Sequence, residues 1–173
     1  MTNSHLIIRD ARPGELDQVS ELLKKAYSQY ESFIPDQSWK EYLENVIDVR
    51  SRLPEADLIV AESNGRLVGT VTLYLKYSNR PQEGWPEGWA GIRLLAVHPD
   101  FRGQGIGAAL MEECICRCRE QGITTIGLHT AKFMEVAWRM YQKMGFRRTP
   151  EFDFHPRPDV TVMACRLDLQ PAS

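Results

Sequence analysis

A glycine-rich turn constrains this sequence more than any other feature. Gly103, Gly105 and Gly107 stand at alternate positions, after the apolar run Ala90–Val97 and at the start of the amphipathic run Ile106–Gln121. Glycine lacks the Cβ that blocks close approach to the backbone, and it adopts positive φ angles that turn successive N–H groups inward. A helix N-terminus adds unpaired N–H groups and a partial positive charge. This succession of strand, glycine turn and helix predicts a phosphate-binding site.

Two common phosphate motifs fit the turn poorly. No Lys-Ser or Lys-Thr pair follows the glycines, which excludes a P-loop. The stretch Gly103–Ala108 satisfies the loose dinucleotide pattern, but His98–Arg102 separates it from its strand and several predicted strands come earlier in the chain. The next predicted strand ends at Thr130 without an acidic residue for a ribose hydroxyl. A dinucleotide site is therefore disfavoured.

Strand and helix signals alternate along the chain. Asn64-Gly65 between two β-type runs predicts a type I′ hairpin turn. Trp85 and Trp89 fall in a predicted loop over 78–89, where we favour packing over substrate contact. The sequence shows no internal repeat and no linker, so we expect residues 1–173 to form one domain. The predicted helices are Glu15–Tyr30, Pro35–Val49, Ile106–Gln121 and Met134–Met144, and the predicted strands are Leu6–Arg9, two runs within 57–77, Ala90–Val97, Thr124–Thr130, Phe146–Phe152 and Val160–Leu169.

Composition narrows the class of protein. The 173 residues are 43% hydrophobic and 25% charged, as in ordinary globular domains. A net charge of -2 offers no general attraction for a phosphate backbone, so we expect no nucleic-acid partner. No apolar run approaches the roughly 20 residues that span a bilayer, and we expect a cytoplasmic protein with no membrane partner. The four cysteines form no C-x-x-C pattern, so we expect no metal site.

Two segments carry a family resemblance. Arg102–Gly107 fits the pattern Arg/Gln-x-x-Gly-x-Gly/Ala and follows Leu95–Pro99, and Met134–Phe146 supplies a second motif through Ala137 and Tyr141. Together with the order of elements, these motifs make the sequence resemble the GNAT superfamily of N-acetyltransferases. The resemblance implies an α/β (α+β) fold with a mixed, mostly antiparallel sheet of about seven strands. That sheet would be splayed between strands 4 and 5, with about four helices packed on both faces.

The resemblance also implies acetyl-CoA as co-substrate and a set of contacts for it. The pyrophosphate would lie on the backbone of the glycine turn, and the pantetheine arm would run beside the fourth strand. A backbone N–H there, that of Val97, would face the thioester oxygen. Met134 stands where many members carry an asparagine that binds the cofactor arm, so we expect that contact to be absent or replaced. The implied cofactor-binding residues are Leu95, Ala96, Val97, Arg102, Gly103, Gln104, Gly105, Ile106, Gly107, Ala108, Met134 and Tyr141.

The resemblance assigns Tyr141 as the general acid that protonates the departing CoA thiolate; the alternative is a helix tyrosine that only packs on the sheet. Arg93 stands where many members carry a glutamate base, and arginine accepts no proton. Either another carboxylate or a water chain must then act as the base, or the acceptor amine must arrive with a lowered pKa. Asp153, between two phenylalanines, is the most attractive carboxylate, and a solvated loop aspartate is the alternative. The remaining carboxylates considered are Glu31, Asp36 and Glu83; among the histidines His98, His129 and His155, only His129 merits a test.

The functional expectation is an N-acetyltransferase in which a primary amine attacks the thioester of acetyl-CoA directly. The alternative is a non-catalytic sensor that binds acyl-CoA, which the absent strand-four glutamate favours. Acidic residues such as Glu31 and Asp153 hint at a cationic acceptor, although solvated surface charge explains them equally well. Members of the family often dimerise through strand edges, which leaves a homodimer open.

Overall fold

Eight strands and four helices make up the computed structural model, which describes residues 5–76 and 84–170. The residues group into two compact units: Met1–Leu73 with Leu94–Glu113, and Tyr74–Arg93 with Cys114–Ser173. The single domain expected over 1–173 stays a prediction. The strands are β1 Leu6–Asp10, β2 Asp57–Ser63, β3 Arg66–Tyr74, β4 Ala90–Val97, β5 Thr125–Thr130, β6 Arg147–Arg148, β7 Phe154–Arg157 and β8 Val160–Asp168, and the helices are α1 Leu16–Tyr27, α2 Asp36–Ile47, α3 Ile106–Glu120 and α4 Glu135–Lys143.

An antiparallel meander of β1, β2 and β3 forms the sheet of the first unit, with the second half of β4 next in order. Asn64 and Gly65 join β2 to β3 with φ angles of 49° and 78°, which confirms the predicted type I′ turn. Gly69 lets α3 approach β3 closely, because a Cβ there would lie 2.9 Å from side-chain carbons of both Ile106 and Leu110. The packing of α3 therefore depends on the missing side chain.

A charged network ties the start of this unit together. The guanidinium of Arg9 donates to both carboxylate oxygens of Glu15, at 2.9 and 2.7 Å, and to Glu62 at 2.6 Å. The Glu15 carboxylate also accepts the backbone N–H of Arg12 at 2.8 Å. These bonds to the ionised form lower the pKa of Glu15 to about 2, with the Arg9 hydrogen bonds as the main cause.

This network predicts a pH-dependent stability. Because the pKa of Glu15 falls from 4.5 to about 2 on folding, its contribution is present above pH 4.5 and is lost as the pH falls toward 2. Glu15→Gln is expected to lower the free energy of unfolding at pH 7 by about 1–3 kcal/mol and to flatten its dependence between those values. Urea denaturation at several pH values measures both effects. Glu21→Gln, at an exposed position of α1, is the control, and an equal loss in both variants would contradict the prediction.

The second unit starts from a parallel pair. Ala90–Ile92 of β4 pair with Ile126–Leu128 of β5, which in turn pairs antiparallel with β8. One prediction was wrong here: the strand expected over Phe146–Phe152 forms only the two-residue β6 and a 3-10 turn at Pro150–Phe152. The proline-containing stretch after it, where no strand was predicted, forms β7. Pro156 lacks a backbone N–H, so β7 pairs with β8 only through residues on either side of it.

The strand order through both units is β1-β2-β3-β4-β5-β8-β6, with β7 paired to β8, and β4 contributes residues to each unit. This mixed sheet with four helices confirms the predicted fold class, with eight strands in place of about seven. The splay expected between strands 4 and 5 is also confirmed, since their pairing ends at Ile92 and Leu128. The predicted apolar face of α3 is buried, at Ile106, Leu110, Met111, Cys114, Ile115 and Cys118.

Candidate active site

The glycine turn leads from a short 3-10 helix at Pro99–Phe101 into α3. Gly103 and Gly105 have φ angles of 75° and 79°, which L residues adopt only with strain. A Cβ at either position would meet nothing within 4 Å, so backbone conformation rather than crowding requires glycine there. Gly107 differs from the expectation, because it lies in the first turn of α3 without a positive φ. Two of the three glycines therefore shape the turn.

Unpaired backbone donors line this turn. Among the described residues, no acceptor binds the N–H groups of residues 103–108; the first bond of the new helix runs from Ala109 N to Gly105 O at 3.0 Å. Arg102, Gly103, Gln104 and Gly105 are all exposed. Accessible N–H groups at a helix N-terminus carry partial positive charge and bind anions. The turn can therefore hold a phosphate through its backbone.

Side chains beside the turn fix it in place. Arg102 Nη2 donates to the carbonyl oxygen of Ala26 at the end of α1, at 3.2 Å. The buried His98 caps the 3-10 helix, because its Nδ1 accepts the backbone N–H of Asp100 at 3.1 Å. The backbone N–H of His98 donates to the carbonyl oxygen of Val68 on β3 at 2.8 Å. His98 thus has a structural role.

The end of β4 changes direction before the turn. Leu94 has a φ of 56°, and for a bulky residue this left-handed conformation costs roughly 1–2 kcal/mol. Leu95 and Val97 are half-buried and Ala96 is buried, so the residues expected beside the pantetheine arm alternate in exposure. Strained backbone of this kind often occurs at functional sites. The bend coincides with the end of the β4–β5 pairing.

Helix α4 carries the other two predicted cofactor contacts. Met134 is the N-cap residue of α4, and its carbonyl accepts the N–H of Trp138 at 3.0 Å. Tyr141 lies about two turns further on and is 7% exposed. Its ring packs at a tilt against Phe146, with 5.7 Å between centroids. The phenol is thus held on a rigid element.

Asp153 has partners that the sequence did not predict. Arg148 donates to both of its carboxylate oxygens at 2.7 Å, and Ala164 N donates to Oδ1 at 2.7 Å. These bonds lower the pKa of Asp153, with the Arg148 hydrogen bonds as the largest cause, although desolvation by burial acts in the opposite direction. We therefore do not propose Asp153 as the base. Glu31 and Asp36 are exposed, and Glu83 lies outside the described residues.

The second unit contains an aromatic cluster that the sequence analysis did not predict. Trp85 is 5% exposed and stacks on Trp89 at 5.6 Å and on His129 at 4.5 Å between ring centroids. Phe152 packs against both tryptophans, at 5.5 and 5.3 Å. The favoured packing role for these tryptophans is therefore confirmed. Gly127 inside β5 was the signal available in the sequence, because glycine in a strand often marks a close approach.

Residues 5–76 and 84–170 contain neither a metal-binding cluster nor a membrane-spanning helix. No group of three or more His, Cys, Asp or Glu side chains there is arranged to hold a metal ion. No helix there is both long and apolar enough to cross a bilayer.

Solved structures share this fold. The PaiA N-acetyltransferase of Thermoplasma acidophilum, crystallised with coenzyme A, superposes with a TM-score of 0.75 at 16% identity, over 95% of this chain and 99% of that one. A GNAT acetyltransferase of Brucella melitensis in complex with acetyl-CoA gives a TM-score of 0.65 at 21% identity, over 99% of this chain and 92% of that one. This chain therefore shares the fold of these two acetyltransferases.

Sequence comparison gives the family. The sequence profile of the Acetyltransferase (GNAT) family matches residues 16–146, and the chain belongs to that family. N-acetyltransferase 8 of Rattus norvegicus is 33% identical over 129 residues, which are 69% of this chain and 55% of the relative. Mycothiol acetyltransferase of Cellulomonas flavigena is 32% identical over 108 residues, 59% of this chain and 31% of the relative. The chain thus spans about half, or less, of the relatives that it matches.

Proposed function

We propose that this protein transfers the acetyl group of acetyl-CoA to a primary amine. The observation that carries the proposal is the run of N–H groups over residues 103–108 that have no acceptor among the described residues, with residues 103–105 exposed. A diphosphate supplies the acceptors and the negative charge that such a turn binds. Family membership and the coenzyme-bound structures of similar fold support acetyl-CoA as the carrier of that diphosphate.

The transfer needs two donors as charge develops. Attack by the amine places negative charge on the thioester oxygen, and we assign the backbone N–H of Val97 to stabilise it. When the C–S bond breaks, the CoA sulfur needs a proton, and we assign Tyr141 to donate it. The buried ring of Tyr141, fixed against Phe146, supports this role because a positioned donor needs little reorganisation.

The acceptor is proposed only as a class. An amine fits the N-acetyltransferase relatives, whose names specify no common acceptor. Exposed carboxylates such as Glu31 and Asp36 favour a cationic amine, for example a polyamine, an aminoglycoside or a lysine side chain. A cytoplasmic location and a homodimer stay predictions.

A second candidate function is binding of acyl-CoA without transfer. Arg93 favours it, because arginine at the position of the usual strand-four glutamate removes the common base.

One experiment separates these proposals. The protein is titrated with acetyl-CoA by calorimetry, and free CoA thiol is followed with spermidine, kanamycin and a lysine peptide as acceptors. Binding with thiol release above the acceptor-free rate is the expected result. Binding without release for any acceptor would support the sensor, and failure to bind acetyl-CoA would contradict both functions.

A further inference from the structure

The imidazole of His129 packs against two aromatic rings. Trp85 stacks on it with an interplanar angle of 26°, and the Phe154 ring lies at 78° to it with 5.0 Å between centroids. Gly127 makes room for this stack, since a Cβ there would lie 2.7 Å from the Trp85 ring. A side chain clamped in this way keeps one orientation.

A hydrogen bond then selects the tautomer. His129 Nε2 lies 3.0 Å from the carbonyl oxygen of Phe152, which only accepts, so Nε2 carries the hydrogen. Nδ1 is left with its lone pair and makes no hydrogen bond within residues 5–76 and 84–170. Nor is it among the buried side-chain atoms of that part that lack a partner, so it is open to solvent or substrate.

Burial and the charges that face the ring lower the pKa of His129 and favour its neutral form. Burial lowers the pKa of His129 below 6.5 and is the largest cause; the positive charge of Arg93 on β4 acts in the same direction. The Phe152 carbonyl and the negative charge of Asp153 oppose these effects, and Asp153 is paired with Arg148. At neutral pH the accessible nitrogen is therefore a free proton acceptor.

The location fits the reaction. The parallel pairing of β4 and β5 ends at Ile92 and Leu128, and His129 is the next residue of β5. The paired residues of both strands and all the rings described above belong to the second unit. We propose that His129 is the general base that accepts a proton from the acceptor amine, in place of the glutamate that Arg93 replaces on β4. This inference rests on the proposed acetyl transfer.

The protons balance through this residue. An alkyl amine is mostly protonated at neutral pH, so Nδ1 first takes one proton and frees the lone pair for attack. The N–C bond then forms and the C–S bond breaks. Tyr141 gives its hydroxyl proton to the CoA sulfur, and the second amine proton restores the Tyr141 hydroxyl. The proton on His129 passes to solvent, so the net change releases one proton, an amide and CoA thiol. The Phe152 carbonyl stabilises the imidazolium throughout.

The test is His129→Gln, whose side-chain amide can still donate to the Phe152 carbonyl but accepts no proton at the position of Nδ1. We expect kcat with the best acceptor of the panel to fall at least tenfold, with an unchanged dissociation constant for acetyl-CoA. The parental kcat should fall as the pH drops through a value below 6.5, and the variant should lack that decline. His155→Gln, at an exposed position of β7, is the control and should retain the parental kcat.

A parental rate and pH profile in His129→Gln would overturn the inference while leaving acetyl transfer intact. A parent that binds no acetyl-CoA would instead overturn the proposed function, and this inference with it. Nitrogen NMR of the unsubstituted protein provides a second readout if the variant does not fold. Protonated Nε2 and unprotonated Nδ1 at neutral pH are expected, and the opposite tautomer would exclude the role.

Discussion

Valine in place of Gly105 is expected to weaken acetyl-CoA binding by about 100-fold, or roughly 2.7 kcal/mol. Gly105 has a φ of 79°, where an L residue is strained by roughly 1–2 kcal/mol. Relief of that strain rotates the peptide planes and turns the N–H groups of the turn away from the pyrophosphate. If the backbone stays in place, the added side chain projects into the open space where the anion would bind, since a Cβ there meets nothing within 4 Å. Titration calorimetry with acetyl-CoA measures the effect.

Gly122 supplies a matched control for this variant. It follows α3, has a φ of 70°, and a Cβ there would also meet nothing within 4 Å. Gly122→Val should therefore destabilise the protein by a similar amount while acetyl-CoA binds as in the parent. Equal affinities in the Gly105 and Gly122 variants would contradict the assignment of the turn as the pyrophosphate site.

Tyr141→Phe is expected to lower kcat by about 100-fold and to leave the dissociation constant of acetyl-CoA unchanged. Phenylalanine keeps the ring that packs at 5.7 Å from Phe146 and removes only the hydroxyl that would protonate the CoA sulfur. Steady-state kinetics with the best acceptor of the panel, together with calorimetry, separate the two quantities.

Tyr141→Ala distinguishes packing from chemistry at the same position. Loss of this buried ring should lower the free energy of unfolding by about 3 kcal/mol, whereas Tyr141→Phe should change it by under about 1 kcal/mol. Full turnover by Tyr141→Phe would show that the tyrosine only packs, which was the alternative from the sequence.

Because Arg93 stands where many family members carry a glutamate, another group must act as the general base. Arg93 on β4 and His129 on β5 follow Ile92 and Leu128, the last residues of the β4–β5 pairing. Acetyl transfer needs a proton acceptor, and the carboxylates at hand are either engaged, as Asp153 is by Arg148, or exposed, as Glu31 is. The imidazole of His129, in the second unit, is held in a geometry that leaves one lone pair open.

Local chemistry explains what could be read from the chain. The Asn64-Gly65 turn, the start of α3 at Ile106 and the bounds of β4 depend on residues that are neighbours in sequence, so spacing and glycine placement predict them. The length of β6 was overestimated and the short β7 was missed, because the pairing of both strands depends on β8, which comes later in the chain. An isolated pattern of prolines and aromatics does not reveal such a partner.

The sequence by itself determined most of the order of elements, the glycine turn before α3 and the family motifs, because each of these arises from backbone preferences within a few residues. Only the tertiary structure decided the hydrogen-bond partners, the burial and the charge of the side chains. The backbone N–H of Ala164 on β8 donates to Asp153, and Trp85 reaches His129 from a segment more than forty residues earlier. Hydrogen bonds and burial of this kind set which group is charged, and they form only when distant segments meet.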